Sequence, residues 1–160
     1  GMYPSEEVQK DKVPLKPALG LKSFVTYVKE LGPGEEISYG GTYVTERTMR
    51  IATVAVGYGD GYPRSLSNCG YVLICGKRAR ILGRVCMDQL MVDVTDIMEA
   101  DVDTPVTLIG KDGDEEITME HLAELCGGFH YEMVCDIGKR VPRVYYRGGK
   151  VVGTMDCFAE

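Results

Sequence analysis

Short β-branched runs separated by glycines constrain this chain more than any other feature of its sequence. Twenty of the 160 residues are glycine, about twice the usual share of ~7%, and they lie between the runs rather than together in one linker. Turn signals therefore recur at intervals of roughly 8 to 12 residues, which is typical of β-sandwiches and barrels. The sequence predicts a mainly β fold, a Greek-key-type β-barrel of short antiparallel strands.

The predicted strands are rich in valine, isoleucine, threonine and tyrosine. They cover residues 24–31, 35–39, 42–44, 48–56, 71–75, 80–85, 90–94, 106–109, 143–146 and 150–154. Between the last two strands, the pair Gly148 and Gly149 predicts a two-residue hairpin turn. One short helix is predicted at about 118–126, because Thr118 can cap its start and Gly127 can end it.

Charge and cysteine use exclude several classes of protein. The 18 basic and 24 acidic residues give a formal net charge of −6, which argues against nucleic acid or an anionic membrane as the main partner. No apolar run approaches the roughly 18 residues that span a bilayer, and residues 2–7 do not resemble a signal peptide. Six cysteines without a Cys-x-x-Cys pair, beside two histidines, predict buried free thiols in the reducing cytoplasm and no metal site.

The first residues are typical of a connection to a preceding domain. Residues 2–17 hold three prolines among mixed charges, a composition that suits a semi-rigid linker. We therefore expect residues 1–14 to form an arm from a preceding domain and residues 15–160 to form the β domain.

Tyrosines in glycine-rich loops are the most unusual candidates for chemistry. The chain has ten tyrosines, three phenylalanines and no tryptophan. Tyr39 and Tyr58 each lie beside glycines, where the backbone can approach a ligand closely. A phenol has a free pKa of about 10, so a catalytic tyrosine needs neighbouring cations or hydrogen bonds that favour its charged form. The residues alone leave open whether these phenols act in catalysis or bond a backbone carbonyl in a structural role.

A second candidate segment is residues 84–89, where polar side chains flank a buried-looking triplet. It fits either a bulged strand in which Asp88 bonds its own backbone, or a backbone N–H aimed at a carboxylate beside Arg84. Residues 112–116 lack the ligand spacing of a calcium loop and predict a solvated hairpin tip. Basic residues near the C-terminus predict a solvated strand face; they are Lys139, Arg140, Arg143, Arg147 and Lys150.

Five blocks, in order along the chain, resemble the C-terminal domain of bacterial alanine racemase. They are Ser-Tyr-Gly-Gly-Thr-Tyr at 38–43, Gly-Tyr-Gly-Asp-Gly-Tyr at 57–62, Gly-Arg-Val-Cys-Met-Asp-Gln at 83–89, Gly-Lys-Asp-Gly-Asp-Glu at 110–115 and Arg-Val-Pro-Arg at 140–143. The resemblance runs from about residue 15 to the end, and five blocks in order are more specific than any one of them. It implies a mainly β domain that follows a (β/α)₈ barrel in a head-to-tail homodimer, each active site combining one subunit's barrel with the other's β domain.

The resemblance implies a role for each matching residue. Tyr39 would be the catalytic tyrosine, which exchanges the Cα proton on one face of the substrate while a barrel lysine serves the other face. The backbone N–H of Met87 would bind the substrate carboxylate. The other matches are Tyr58 at the inner gate of the substrate corridor, Arg64 and Arg84 near its entrance, Phe129 lining it, and Tyr131 bonding the cofactor phosphate.

The implied cofactor is pyridoxal phosphate, bound covalently by a lysine of a barrel that this sequence lacks. No lysine of the chain stands in a strand-end and phosphate-loop context, so we expect the isolated chain to be inactive. The implied substrate is alanine, racemised to supply D-alanine for the cell wall, with the barrel domain and a second subunit as partners. Two alternatives stay open: a racemase for serine or another small amino acid, and a non-catalytic β module that binds a partner or scaffolds a dimer.

Overall fold

The computed structural model describes residues 1–5 and 7–158, which fold mainly into antiparallel strands. The strands are β1 (Leu21–Leu31), β2 (Glu36–Ile37), β3 (Tyr43–Val44), β4 (Met49–Val54), β5 (Tyr71–Ile74), β6 (Lys77–Leu82), β7 (Leu90–Asp93), β8 (Pro105–Asp112), β9 (Glu115–Ile117), β10 (Arg143–Arg147) and β11 (Lys150–Met155). The helices in this part of the chain are α1 (Met119–Cys126) and α2 (His130–Asp136). Short 3-10 turns cover Tyr39–Gly41, Tyr58–Asp60 and Arg64–Leu66.

The main sheet closes into a ring. Its strands pair in the order β1–β4–β7–β6–β5–β8, and β8 pairs back with β1, all antiparallel. β1 can close the ring because it pairs with β8 over residues 21–24 and with β4 over residues 25–31. Its register shifts between Val25 and Tyr27, and such a bulge bends a strand from one neighbour toward the next. The predicted fold class, a mainly β barrel of short antiparallel strands, is confirmed.

Alternating side chains fill the ring with a packed apolar core. Over its first six residues β1 alternates buried and exposed positions, beginning with buried Leu21. Burying each large aliphatic side chain stabilises the fold by roughly 1.5–3 kcal/mol. The largest buried members of this core are Tyr62, Leu66, Leu73, Ile74, Ile81, Leu90, Leu108, Ile117 and Leu122. The ring is therefore a rigid scaffold, on which the connecting loops are the natural place for a binding or catalytic site.

Two local predictions are confirmed by backbone geometry. The hydroxyl oxygen of Thr118 accepts a hydrogen bond from the His121 N–H at 3.1 Å, which caps α1, and Gly127 ends that helix with a φ of 63°. Gly148 and Gly149 join β10 to β11 with φ values of 58° and 75°. Both features depend on a few neighbouring residues, which is why they can be read from the sequence.

The fold contains a helix, α2, beyond the one that the sequence predicts. Several of its residues have modest helix propensity, and Phe129 at its N-cap makes no side-chain hydrogen bond. Packing supports it instead: α2 contacts α1, and His130 and Met133 are buried. A helix this short depends on packing, which the local sequence does not reveal. No helix of the described residues is long and apolar enough to cross a membrane.

The observed strands differ from the predicted ones mainly at their ends. The strand predicted at 35–39 is reduced to Glu36–Ile37, because the chain turns at Tyr39. The strand predicted at 80–85 lies at Lys77–Leu82, since residues 83–89 leave the sheet and form a loop. β9 has no counterpart among the predicted strands.

The predicted burial of the cysteines is wrong for most of them. All six thiols are free, and Cys86 is buried and Cys126 half-buried. Cys75 follows an apolar run, yet it takes a left-handed φ of 52° in the turn between β5 and β6 and is exposed. The other exposed cysteines are Cys69, Cys135 and Cys157.

The first residues fold back on the domain. The Tyr3 hydroxyl accepts a hydrogen bond from the Leu15 N–H at 2.8 Å and donates to the Val13 carbonyl at 2.9 Å. The Tyr3 carbonyl oxygen lies 2.9 Å from Nε2 of His130 in α2. An arm boundary near residue 14 stays a prediction.

Candidate functional site

Four segments meet at one rim of the barrel, and we call them the rim cluster: residues 38–41, 57–61, 84–89 and 138–140. The 57–61 loop follows β4 and the 84–89 loop leads into β7. Because β4 and β6 both pair with β7, these loops leave the sheet at the same end. The other two segments pack against them.

The 57–61 and 84–89 loops are joined by backbone hydrogen bonds. The Tyr58 N–H donates to the Cys86 carbonyl at 3.0 Å, and the Gly59 N–H donates to the Met87 carbonyl at 2.8 Å. This approach requires a glycine at position 57, where a Cβ would lie 2.2 Å from the Cys86 carbonyl oxygen. The two loops therefore form one backbone unit.

Arg140 ties this unit together from a third segment. Its Nε lies 2.9 Å from a carboxylate oxygen of Asp60, and its Nη2 lies 2.5 Å from Asp88. The hydrogen bond to Asp88 and the charge of Asp60 raise the pKa of Arg140, so it stays a cation. The sequence could not reveal this arrangement, because both carboxylates are far from Arg140 along the chain.

The predicted solvated strand face fits the exposed Arg147 and Lys150 of β10 and β11. Arg140 is exposed but lies outside the strands, and Arg143 is half-buried and donates to the Val141 carbonyl at 2.7 Å.

Tyr39 is presented to solvent at the rim cluster. It begins the turn Tyr39–Gly41 and is 73% exposed. The preceding residue, Ser38, donates its hydroxyl proton to the Arg84 carbonyl at 2.6 Å. The Arg84 guanidinium lies against Gly40, where a Cβ would come within 2.8 Å of Nη1. The Arg84 guanidinium therefore lies against the turn that carries Tyr39.

The backbone N–H of Met87 has no hydrogen-bond partner among the described residues. Its loop is fixed, because the Met87 carbonyl accepts from Gly59 and the Cys86 N–H donates to the Gln89 carbonyl at 2.9 Å. Met87 itself is 53% exposed. A free donor on a fixed, exposed loop can bind an anion without rearrangement. The sequence allowed Asp88 to bond its own backbone here, whereas the structure pairs Asp88 with Arg140.

Tyr58 and Arg64 lie at the edge of the same cluster. Tyr58 is exposed, and its N–H bond to Cys86 fixes its place. Arg64 begins the next 3-10 turn, and its carbonyl accepts a hydrogen bond from the Ser67 hydroxyl. The Ser67 oxygen in turn accepts from the Val85 N–H at 3.0 Å. Both residues are therefore linked to the 84–89 loop.

Phe129 and Tyr131 lie at the start of α2, apart from these contacts. The far end of α2 touches the rim cluster, since a Cβ at Gly61 would come within 2.0 Å of the Asp136 carbonyl oxygen. The Phe129 and Tyr131 rings pack on each other, with centroids 5.4 Å apart. No hydrogen bond or ring contact in the described part of the chain joins them to the rim cluster. Their place in a shared site is therefore a proposal.

Tyr62 shows the structural alternative for tyrosines in these loops. It is buried, and its hydroxyl has no hydrogen-bond partner among the described residues. Burial raises the pKa of this phenol above its ordinary value, so it stays neutral. Tyr62 packs in the core, whereas Tyr39 and Tyr58 face solvent.

The fourth block, at 110–115, lies outside the rim cluster. Residues 112–116 belong to the β8–β9 hairpin, where a carboxylate oxygen of Asp112 accepts a hydrogen bond from the Gly76 N–H at 2.9 Å. Across residues 1–5 and 7–158, no group of three or more histidine, cysteine or acidic side chains is placed to hold a metal ion.

Comparison with known proteins identifies the family. The model of the family described as "Alanine racemase, C-terminal domain" matches residues 18–145. The chain belongs to this family. Alanine racemase 1 of Clostridium acetobutylicum is 47% identical over 152 residues, which are 95% of this chain and 39% of that protein. The alanine racemase of Desulforamulus reducens is 51% identical over 145 residues, 91% of this chain and 38% of that protein.

Solved structures agree with the family assignment. The crystal structure of alanine racemase from Bacillus anthracis with bound L-Ala-P matches with a TM-score of 0.90 and 43% identity, over 98% of this chain and 40% of that one. Alanine racemase from Clostridium difficile 630 matches with a TM-score of 0.91 and 39% identity, over 99% and 41%. The chain therefore spans about two fifths of the length of the relatives it matches. The resemblance carried by the five sequence blocks is confirmed.

Gly57→Ala should destabilise the racemase domain, because its new Cβ would overlap the Cys86 carbonyl oxygen. We expect a loss of about 1–3 kcal/mol in the free energy of unfolding, the usual cost of overpacking, measured by urea denaturation. Gly32→Ala is the matched control, since nothing lies within 4 Å of a Cβ there, and it should change stability by less than about 0.5 kcal/mol. Equal losses in the two variants would contradict the close approach.

Arg140→Ala should loosen the rim cluster while leaving the barrel intact. It leaves the carboxylates of Asp60 and Asp88 without the cation that joins them. Amide hydrogen exchange should therefore speed up at Tyr58 and Gly59 and stay unchanged in the barrel strands. Arg147→Ala removes an exposed arginine of β10 and is the control. If both variants exchange alike at these amides, Arg140 does not hold the loops.

Proposed function

We propose that this chain is the β domain of an alanine racemase, which interconverts L-alanine and D-alanine with pyridoxal phosphate. The family assignment supports the activity, and one observation supports the role of this domain in it. Tyr39 is exposed, and its segment meets the loop that carries the free Met87 N–H at one rim of the barrel. A site built in this way needs a second surface to enclose a substrate. We propose that this surface is the (β/α)₈ barrel of a partner subunit in a homodimer.

Tyr39 is the proposed acid and base on one face of the substrate. Its hydroxyl has no hydrogen-bond partner among the described residues, so it is free to take a proton from the substrate Cα or return one to it. A lysine of the barrel serves the opposite face. Bound pyridoxal phosphate withdraws electrons from the Cα–H bond, so one proton-exchanging group on each face is sufficient for racemisation.

The Met87 N–H is the proposed contact for the substrate carboxylate. Its loop is fixed by hydrogen bonds from the 57–61 loop, so the donor is held in place before the substrate arrives. Arg84 adds a positive charge nearby, which favours an anion.

The remaining residues have proposed places along the route of substrate and cofactor. Tyr58 would form the inner gate, Arg64 and Arg84 would lie near the entrance, and Phe129 would line the corridor. The Tyr131 hydroxyl is proposed to contact the cofactor phosphate, since Tyr131 is 38% exposed and no described residue bonds its hydroxyl. The covalent lysine is proposed to belong to the barrel.

Other properties of the whole enzyme follow as part of the same proposal. Because the chain spans about 40% of its relatives, we propose that it is inactive without a barrel. Exposed free thiols suit a reducing compartment, which supports the cytoplasm as its location.

The proposal is tested by joining the chain to the remaining part of the Clostridium acetobutylicum racemase in place of the corresponding domain. With pyridoxal phosphate and L-alanine, the fusion should form D-alanine, and the 160-residue chain should form none. A folded, dimeric fusion without racemase activity would contradict the proposal, as would racemisation by the chain itself. Faster turnover of L-serine than L-alanine would favour the alternative racemase.

Tyr39→Phe tests the proposed acid and base. It removes one hydroxyl and keeps the ring, so the fusion should keep its stability and lose about 10²–10⁴-fold in kcat, the usual contribution of such a group. Tyr146→Phe is the control, because Tyr146 is an exposed tyrosine of the β10–β11 hairpin, and it should keep full activity. A loss below about tenfold with Tyr39→Phe would show that the hydroxyl does not exchange the proton.

A further inference from the structure

The residue before Tyr39 has a backbone conformation that serine rarely adopts. Ser38 has φ 66° and ψ −179°, a region confined almost entirely to glycine because a Cβ is crowded there. Such a conformation persists only where surrounding contacts enforce it. Strain of this kind tends to lie at functional sites, and here it lies directly before the exposed phenol.

Contacts on both sides of Ser38 hold this conformation. Its hydroxyl donates to the Arg84 carbonyl at 2.6 Å and lies 3.3 Å from Sγ of buried Cys86. Its Cβ packs on Gly83, where an added Cβ would come within 2.7 Å of it. The residue before it, Ile37, is paired with Tyr43 across the β2–β3 hairpin.

We propose that Ser38 is a positioning residue. Its backbone, held by the hydroxyl bond to Arg84, directs the Tyr39 side chain out of the rim cluster. If Ser38 relaxed to an ordinary negative φ, the chain after it would rotate and Tyr39 could not keep its place. The hydroxyl bond to the Arg84 carbonyl prevents that relaxation. This inference rests on the proposed role of Tyr39 in proton exchange.

The Ser38 hydroxyl bond positions Tyr39 and not the proposed carboxylate contact, the Met87 N–H. The 84–89 loop has its own supports, namely the Val85 N–H bond to Ser67 and the Cys86 N–H bond to Gln89. Loss of the Ser38 hydroxyl therefore leaves the Met87 N–H in place. Changes at Ser38 should appear in kcat rather than in KM.

Alanine and glycine at position 38 separate the effect of the hydroxyl bond from the effect of the backbone conformation. Ser38→Ala removes the hydroxyl and leaves a residue that avoids this region, so kcat of the fusion enzyme should fall on the order of 10²-fold, as a misplaced catalytic group does. Ser38→Gly also lacks the hydroxyl but tolerates the conformation, so kcat should stay within about tenfold. KM for alanine should change little in both. A loss in Ser38→Gly equal to or larger than that in Ser38→Ala would overturn the proposal.

A kinetic isotope effect distinguishes misplacement of Tyr39 from a general structural defect. With deuterium at the substrate Cα, Ser38→Ala should raise the isotope effect for one enantiomer only, because Tyr39 removes the proton from one enantiomer and the barrel lysine from the other. A smaller fraction of folded enzyme would leave both isotope effects unchanged. Unchanged isotope effects with reduced kcat would therefore overturn the proposal.

The 160-residue chain gives a readout that needs no activity. Backbone amide order parameters at residues 39–41 should be near 0.85 in the native chain and in Ser38→Gly, and below about 0.6 in Ser38→Ala. Order parameters that do not fall in Ser38→Ala would overturn the proposal. If Tyr39→Phe kept its activity while these parameters fell as expected, the proposed function would fail and the positioning of residue 39 would stand.

Asp103 provides two control variants at another non-glycine residue of positive φ. It also has a φ of 66°, but it lies in the loop before β8, outside the rim cluster. Asp103→Ala and Asp103→Gly should leave kcat and both isotope effects unchanged. A kcat that followed the alanine-to-glycine order at Asp103 as well would show that general backbone strain, and not the aim of Tyr39, controls turnover.

Discussion

The backbone contact between the 57–61 and 84–89 loops is the constraint on which the candidate site depends. It requires the sheet to be closed in the observed order, because β4 and β7 are neighbours and their paired ends, Val54 and Leu90, release the loops together. It also requires Gly57, whose missing side chain lets one backbone meet the other. Once the loops are joined, the Met87 carbonyl is occupied and its N–H has no hydrogen-bond partner in the described part of the chain. Barrel closure and the site are thus consequences of the same strand pairing.

The parts of this fold that the sequence predicts are those set by neighbouring residues. Alternation and glycine spacing predict the β-barrel, and the cap at Thr118 predicts α1. Helix α2 is different, because it is stabilised by burying His130 and Met133 and not by its own propensity. Cys75 shows the same limit, since an apolar run precedes it but a positive φ turns it outward. Local composition reveals neither the burial of α2 nor the exposure of Cys75.

The residues of the candidate site also divide into those that the sequence predicts and those that it does not. Tyr39, Tyr58 and Met87 were predicted through a resemblance to a known family, and the structure places them at one rim. Arg140 lies in one of the resembling blocks but is given no role there, since its partners Asp60 and Asp88 come together only when the barrel closes. Ser38 is given no role either, because a positive φ is predictable for glycine and not for serine. The residues whose roles the sequence does not reveal are those that position other residues.

Two tyrosines of the glycine-rich loops, Tyr39 and Tyr62, show the effect of such positioning on side-chain exposure. An aromatic ring loses exposed apolar area when it enters a core, so burial is the favourable outcome unless the backbone prevents it. Tyr62 follows that tendency and enters the core, although its hydroxyl is left without a partner. Tyr39 lies three quarters exposed because the chain before it is fixed at Ser38 in a conformation that cannot relax inward. If Tyr39 serves a partner subunit, as proposed, the strain at Ser38 keeps its phenol available to that subunit.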